Sequence, residues 1–153
     1  MHARALLTST RQGATDYLDA DLHDPDTILK QAPQTLDFAQ PIALILFGIL
    51  GHVTDDDQAR SIVGRLLAPM PSGSYLALYD GTDTDPAGVE AQENYKRSGA
   101  VAYTLRSPER IARFFDGLEL VEPGVVPVSQ WRPDSSGELA PLVHAYGGVA
   151  RKP

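Results

Sequence analysis

The sequence predicts an α/β fold: a mostly parallel sheet layered with helices and closed by an antiparallel strand. Three observations predict it. The run Ile42-Ala43-Leu44-Ile45-Leu46-Phe47-Gly48-Ile49-Leu50 is apolar throughout apart from glycine, which reads as a central strand covered by helices on both faces. Ala59, Ile62, Val63, Leu66 and Leu67 follow at i, i+3, i+4 spacing, the stripe of an amphipathic helix. Strand-like and helix-like segments then alternate until two strands in succession finish the chain. At about 3.3 Å per residue the apolar run crosses a sheet, whereas a membrane-spanning helix needs about 20 apolar residues. Ligands of open parallel sheets bind beyond the carboxyl ends of the strands, so Gly48 to Asp57 is the first place to look for function.

Taken in order, Ala3 to Leu7 reads as the last turns of a helix, and Thr8 to Gly13 as a turn. Ala14 to Asp21 has strand character and ends in acidic residues. Asp24-Pro25-Asp26 opens a short helix to about Lys30, with Asp24 capping free amides and Pro25 at the first helical position. After the central run, Thr54 to Asp57 supply a cap and negative charge for the amphipathic helix. Pro69 and Pro71 end that helix, and Ser72-Gly73 turns into a strand from Ser74 to Tyr79. Asp80 to Asp85 reads as a polar loop, and Ala87 to Arg97 as a polar helix suited to a lid or insertion. Ser107-Pro108 opens another helix with Ile111, Phe114, Phe115 and Leu118 on one face. Glu119 to Val128 and Ala145 to Ala150 read as the closing strands, the antiparallel one at an edge, with Ser129 to Leu139 a hairpin excursion or loop between them.

At 153 residues the chain fits one domain. A hydrophobic fraction of 42% and a charged fraction of 22% are those of a soluble globular protein. A net charge of -7 argues against nucleic-acid and anionic-membrane partners, which want clustered Lys and Arg. The lack of cysteine excludes disulfides, thiol nucleophiles and thiolate metal sites. Met1-His2-Ala3-Arg4 leads into no long apolar stretch, so neither a signal peptide nor an anchor is expected and the expected location is cytoplasmic. The sequence contains neither the G-x-S-x-G elbow of a serine hydrolase nor a G-x-x-x-x-G-K-[ST] phosphate loop.

Several blocks are more specific than the fold requires. They are Tyr17-Leu18-Asp19-Ala20-Asp21-Leu22-His23-Asp24-Pro25, Pro41 to Leu46, His52-Val53-Thr54-Asp55-Asp56-Asp57 and Pro71 to Leu76. Arg106-Ser107-Pro108-Glu109-Arg110-Ile111, Phe114 to Gly124 and Gly147 to Pro153 complete the set. Together they resemble the actinobacterial S-adenosyl methyltransferase family, within the class I S-adenosylmethionine-dependent methyltransferases. The resemblance implies a Rossmann-like sheet and S-adenosylmethionine as cofactor. It also implies an N-terminal truncation, because the family's first two strands have no counterpart here. The first of these carries a glycine-rich loop for the methionine moiety; the second ends in an acid for the ribose. No G-x-G occurs in this sequence, and Met1 to Leu7 corresponds to the helix after the second strand. Without those strands the apolar run becomes a sheet edge, open to pairing with another chain.

By this resemblance Asp21 accepts a hydrogen bond from the adenine amino group and Leu22 lies against the ring. From spacing alone, Asp19, Asp21 and Asp24 are turn and cap residues. Gly48 lets backbone approach a ligand, and Phe47 offers a face to a sulfonium or is simply core. His52 is the candidate base or acceptor contact, or else a residue bonded to backbone before a helix. Asp80 and Tyr95 are candidates for the acceptor pocket, though Asp80-Gly81 also reads as a turn. Trp131 and Tyr146 read as core or rim. Asp55-Asp56-Asp57 is read as helix-capping charge rather than a metal site. The function expected is methyl transfer from S-adenosylmethionine to an unidentified small-molecule acceptor. The alternatives are a non-catalytic remnant or assembly module that pairs through the exposed strand, as a homodimer or with a missing N-terminal half, and a small-molecule binding protein.

Overall fold

The computed structural model describes residues 9, 12–133 and 141–153. The expected helix end at Ala3 to Leu7 and most of the loop from Ser129 to Leu139 lie outside them. Helix α1 (Pro25–Gln31) starts as its sequence dictates: the Asp24 carboxylate accepts from the Thr27 amide at 3.2 Å and the Thr27 hydroxyl at 2.6 Å. Strand β1 (Ala43–Phe47) is shorter than the apolar run. Gly48, at φ 63°, turns the backbone out of the sheet and leads into a tight helical turn at Leu50–His52. Helix α2 (Asp56–Leu67) is capped by Asp55, which accepts from the Gln58 amide at 2.7 Å, an interaction worth about 1 kcal/mol. Strand β2 (Tyr75–Gly81), polar helix α3 (Pro86–Arg97) and helix α4 (Pro108–Ala112) follow. Short strands β3 (Glu119–Leu120) and β4 (Val126–Pro127) precede the long closing strand β5 (Ala145–Arg151).

The sheet runs β1-β2-β5-β3, with β4 also bonded to β5. β1 and β2 are parallel, with Ala43 opposite Tyr75 and Phe47 opposite Tyr79. β5 is antiparallel to β2, β3 and β4. Four strands therefore point one way and β5 the other. The antiparallel strand is interior, not at an edge as its late position in the sequence suggested; β3 and β4 take the outer place beside it. The single strand expected over Glu119 to Val128 is these two short strands with a turn between them.

Register sorts the side chains into two faces. Leu44, Leu76 and Ala150 form one row of the inner face, and Leu46, Leu78 and Gly148 the next. Ile62, Val63, Leu66 and Leu67 of α2 pack there with Ile111, Phe114 and Phe115, each fully buried Leu, Ile or Phe contributing roughly 2 kcal/mol. The opposite face carries Ile45, Ala77 and Val149, then Phe47, Tyr79 and Gly147. Ile45 is 58% and Phe47 55% exposed. Helix cover on both faces is thus corrected to one face, whereas the edge position expected without the family's first two strands is what β1 shows among the described residues. Ala14 to Asp21 is likewise no strand. Among the described residues no strand pairs with it, and propensity alone does not hold extended chain in a sheet. Asp80 and Gly81, expected in a loop, are the last residues of β2. No described helix is long and apolar enough to cross a membrane.

Candidate functional site

The carboxyl ends of β1 and β2 form a mouth whose walls come from Gly48 to His52, Asp80 to Thr82 and the segment Ala102 to Arg106. The Gly48 amide continues the ladder, donating to the Tyr79 carbonyl at 2.8 Å, and the Phe47 ring lies 5.0 Å from that of Tyr79. The Thr104 amide donates to the Gly51 carbonyl at 2.7 Å, and Thr82 bridges Arg106 in parallel fashion. These bonds bring the incoming segment across the strand ends.

Tyr103 is its centre. The ring sits over Gly51 so closely that a Cβ there would fall 2.3 Å from the ring's Cζ; only glycine admits it. The Tyr103 hydroxyl donates to Oδ1 of Asp80 and accepts from the Gly81 amide at 3.3 Å. Asp80 is fully buried and its Oδ2 has no hydrogen-bond partner. Burial pushes its carboxyl above the usual carboxylate range, against the lowering effects of the Tyr103 hydrogen bond and the Arg106 charge. Burial, together with the Asp80 contact, also pushes the Tyr103 phenol up. His52 meets the same tyrosine edge-on, ring centres 5.1 Å apart, and its Nδ1 lies 3.2 Å from the Ala102 carbonyl.

Behind the mouth, Arg106 is completely buried. It donates to Asp56 Oδ1 at 2.8 Å and to the carbonyls of Leu50 and Val53, with its guanidinium 5.4 Å from the Phe114 ring centre. Arg110 adds two bonds to Asp56 at 2.7 and 2.8 Å. The hydrogen bonds from Arg110, and then Arg106, hold the Asp56 carboxyl down at about 2. The three aspartates before α2 thus separate: Asp55 caps, Asp56 anchors both arginines and Asp57 pairs with Arg60.

The structure brings His52 and Asp80 together through Tyr103, but Asp80 is sealed behind that ring rather than open to a ligand. Phe47 and Gly48 flank the mouth. Phe47 also lines an apolar cavity of about 310 Å³ on the open face of the sheet, with Tyr79, Val128, Trp131 and Val149. Asp21 stands apart and 72% exposed, its Oδ1 accepting from the His23 amide at 2.9 Å and facing His23 Nδ1 at 2.9 Å. The His23 amide is the chief cause holding the Asp21 carboxyl low. Leu22 packs on the core. Tyr95 is 63% exposed on α3; Val89, Gln92, Glu93 and Lys96 are the α3 residues that line a shallow cavity with Tyr103 and Leu105. Sequence reasoning gave Tyr103 no role, and none to Arg106 beyond the resemblance. The available signal was an aromatic and a cation immediately before the Ser107-Pro108 helix start.

The residues present fit part of a nucleoside cofactor. Asp21 offers an exposed carboxylate for an exocyclic amine, and Phe47 an open aromatic face beside a backbone position without a side chain. A family model described as S-adenosyl methyltransferase matches residues 1–153. The chain is similar to a DUF574 family protein from Streptomyces avermitilis: 42% identity, TM-score 0.89, covering 99% of this chain and 60% of that one. It is also similar to a provisionally assigned methyltransferase from Thermobifida fusca: 34% identity, TM-score 0.83, covering 99% of this chain and 58% of that one. The chain therefore spans about three-fifths of the length of these relatives. No curated protein matches it.

Proposed function

Since the chain belongs to the S-adenosyl methyltransferase family, we propose that it serves methyl transfer to a small-molecule acceptor at the mouth of β1 and β2. The observation that carries this reading is the family match along the entire chain, with the carboxyl ends of the parallel pair left as a mouth. Bound S-adenosylmethionine supplies an electrophilic methyl group. Asp21 accepts from the adenine amine and Leu22 lies against the base. Phe47 and Gly48 border the sulfonium, the ring face attracting positive charge. His52 takes the proton that an acceptor O–H or N–H gives up. Tyr95 and, behind Tyr103, Asp80 lie on the acceptor side. Alignment contributes most of the rate in such a displacement, so rigidity at the mouth matters more than any single acid or base. The net charge of -7 favours a small acceptor over nucleic acid or an anionic membrane.

A second reading is favoured by one observation: β1 is an edge with Ile45 and Phe47 exposed. Such an edge pairs readily with another strand, which suits an assembly module acting as a homodimer or with a further polypeptide. Calorimetric titration of the 153-residue chain with S-adenosylhomocysteine, paired with light scattering, separates the two. Heat of binding that Asp21→Ala and Phe47→Ala each weaken about tenfold supports the first. A folded dimer that gives no heat overturns it in favour of the second.

A further inference from the structure

We propose that Tyr103 is a positioning residue: with the Ala102 carbonyl it holds His52 with its hydrogen on Nδ1, leaving the basic lone pair on Nε2. The inference rests on the reading of His52 as proton acceptor and names the device that sets it.

The argument begins with the contact between His52 Nδ1 and the Ala102 carbonyl at 3.2 Å. A carbonyl oxygen only accepts, so the hydrogen in that contact belongs to Nδ1. In a neutral imidazole the other nitrogen is then bare. This is the tautomer less favoured by a free histidine side chain in water, so its dominance would report the protein environment. His52 is exposed, so Nε2 can meet an acceptor. When it does, the acceptor's X–H bond breaks, an N–H bond forms at Nε2, and the electron pair stays on X as the nucleophile.

The Ala102 carbonyl is useful only if it is fixed, and Tyr103, the next residue, fixes it on three sides. Its ring seats on Gly51 where no Cβ could stand. Its hydroxyl is tied to buried Asp80 and to the Gly81 amide. Its edge-on contact with the His52 ring sets that ring's plane. The Thr104 amide on the Gly51 carbonyl closes the far side. Asp80, sealed from solvent and with Oδ2 unpartnered, is an expensive residue to keep for mere stability. Its explanation here is that it anchors the phenol on which the histidine's orientation depends.

The test is long-range proton–nitrogen NMR on the full chain labelled with ¹⁵N-histidine, the His52 signals being assigned from His52→Gln. The spectrum at a pH where the ring is neutral is expected to show His52 mainly as the Nδ1–H form. Tyr103→Phe, which keeps the ring and removes the anchor, is expected to move it toward the water-like mixture in which Nε2–H dominates. His144, whose Nδ1 lies 3.0 Å from the Thr84 hydroxyl, should keep its wild-type signals and so report an intact fold. Asp80→Asn should shift His52 in the same direction and serves if Tyr103→Phe does not fold. A wild-type His52 in the Nε2–H form overturns the proposal, as does a tautomer unmoved in a folded variant. No cofactor is needed for this readout. A correct tautomer in a chain that binds no S-adenosylhomocysteine would sink the methyl-transfer reading and leave the positioning device standing.

Discussion

Arg106 and Asp56, fifty residues apart in sequence, meet at 2.8 Å where α2 begins and α4 is about to start. The arginine also closes off two carbonyls of the loop between β1 and α2, so a single buried cation ties the floor of the mouth to both helices. Removing it leaves two buried carbonyls without their donor, while Asp56 keeps its two bonds from Arg110. Arg106→Met is expected to cost about 2–6 kcal/mol, roughly 1–3 for each carbonyl left unpaired, read as a lower urea midpoint. A loss below about 1 kcal/mol would show that water replaces the guanidinium at no great cost.

The same pair predicts an acid-sensitive window. Asp56 falls from an ordinary 3.8 to about 2 in the folded chain. A carboxyl depressed by folding contributes stability above its unfolded value and loses it as pH falls through the folded one. The loss should therefore run from about pH 4 down to about pH 2. Its ceiling is roughly 2 kcal/mol, nearer 1 after screening, since the carboxylate is 35% exposed. Asp56→Asn should flatten the urea midpoint across that window; an unchanged slope would contradict the assignment.

Two glycines should respond to alanine in opposite directions. At Gly64 in α2 an added Cβ meets nothing within 4 Å, so Gly64→Ala should stabilise by about 0.5–1 kcal/mol through helix propensity. At Gly147 a Cβ would stand 2.4 Å from the Leu78 carbonyl oxygen in the next strand. Gly147→Ala must push β2 and β5 apart and should cost about 3 kcal/mol, the upper range of overpacking. Thermal melts of the two variants should move apart in sign.

The exposed edge gives a fourth expectation. Ile45→Lys puts a charge on β1 where the side chain is already 58% exposed, a substitution that blocks edge-to-edge pairing. On the assembly reading, light scattering should show a smaller mass at equal concentration, with stability changed by no more than about 0.5 kcal/mol. An unaltered mass would remove β1 as an association surface.

What the sequence discloses is what local rules control. The Asp24-Pro25 start of α1, the stripe of α2 under its Asp55 cap and the Ser107-Pro108 start of α4 depend on neighbours within one or two turns. The interior place of β5 depends on pairings across more than sixty residues, with no trace in local pattern. An apolar run does not say whether strands flank it, so β1 read as covered when one of its faces is open. Asp80-Gly81 has turn composition, yet Tyr103 lies 23 residues on and turns that aspartate into a buried anchor. The position of Gly48 and His52 just beyond β1 was legible because the end of an apolar run is a local feature. Tyr103 was not, because its importance comes from a missing Cβ at Gly51 on another part of the chain.

The interior place of β5 has a consequence for how the chain is made. Among the described residues β3 and β4 pair only with β5, and both leave the ribosome before it. Until residues 145–151 emerge, β2 has one bare flank and the two short strands have no ladder to join, so the nascent protein waits with greasy surface showing. Closure of the sheet therefore waits on residues 145–151, and β3 and β4 fold onto β5 rather than ahead of it.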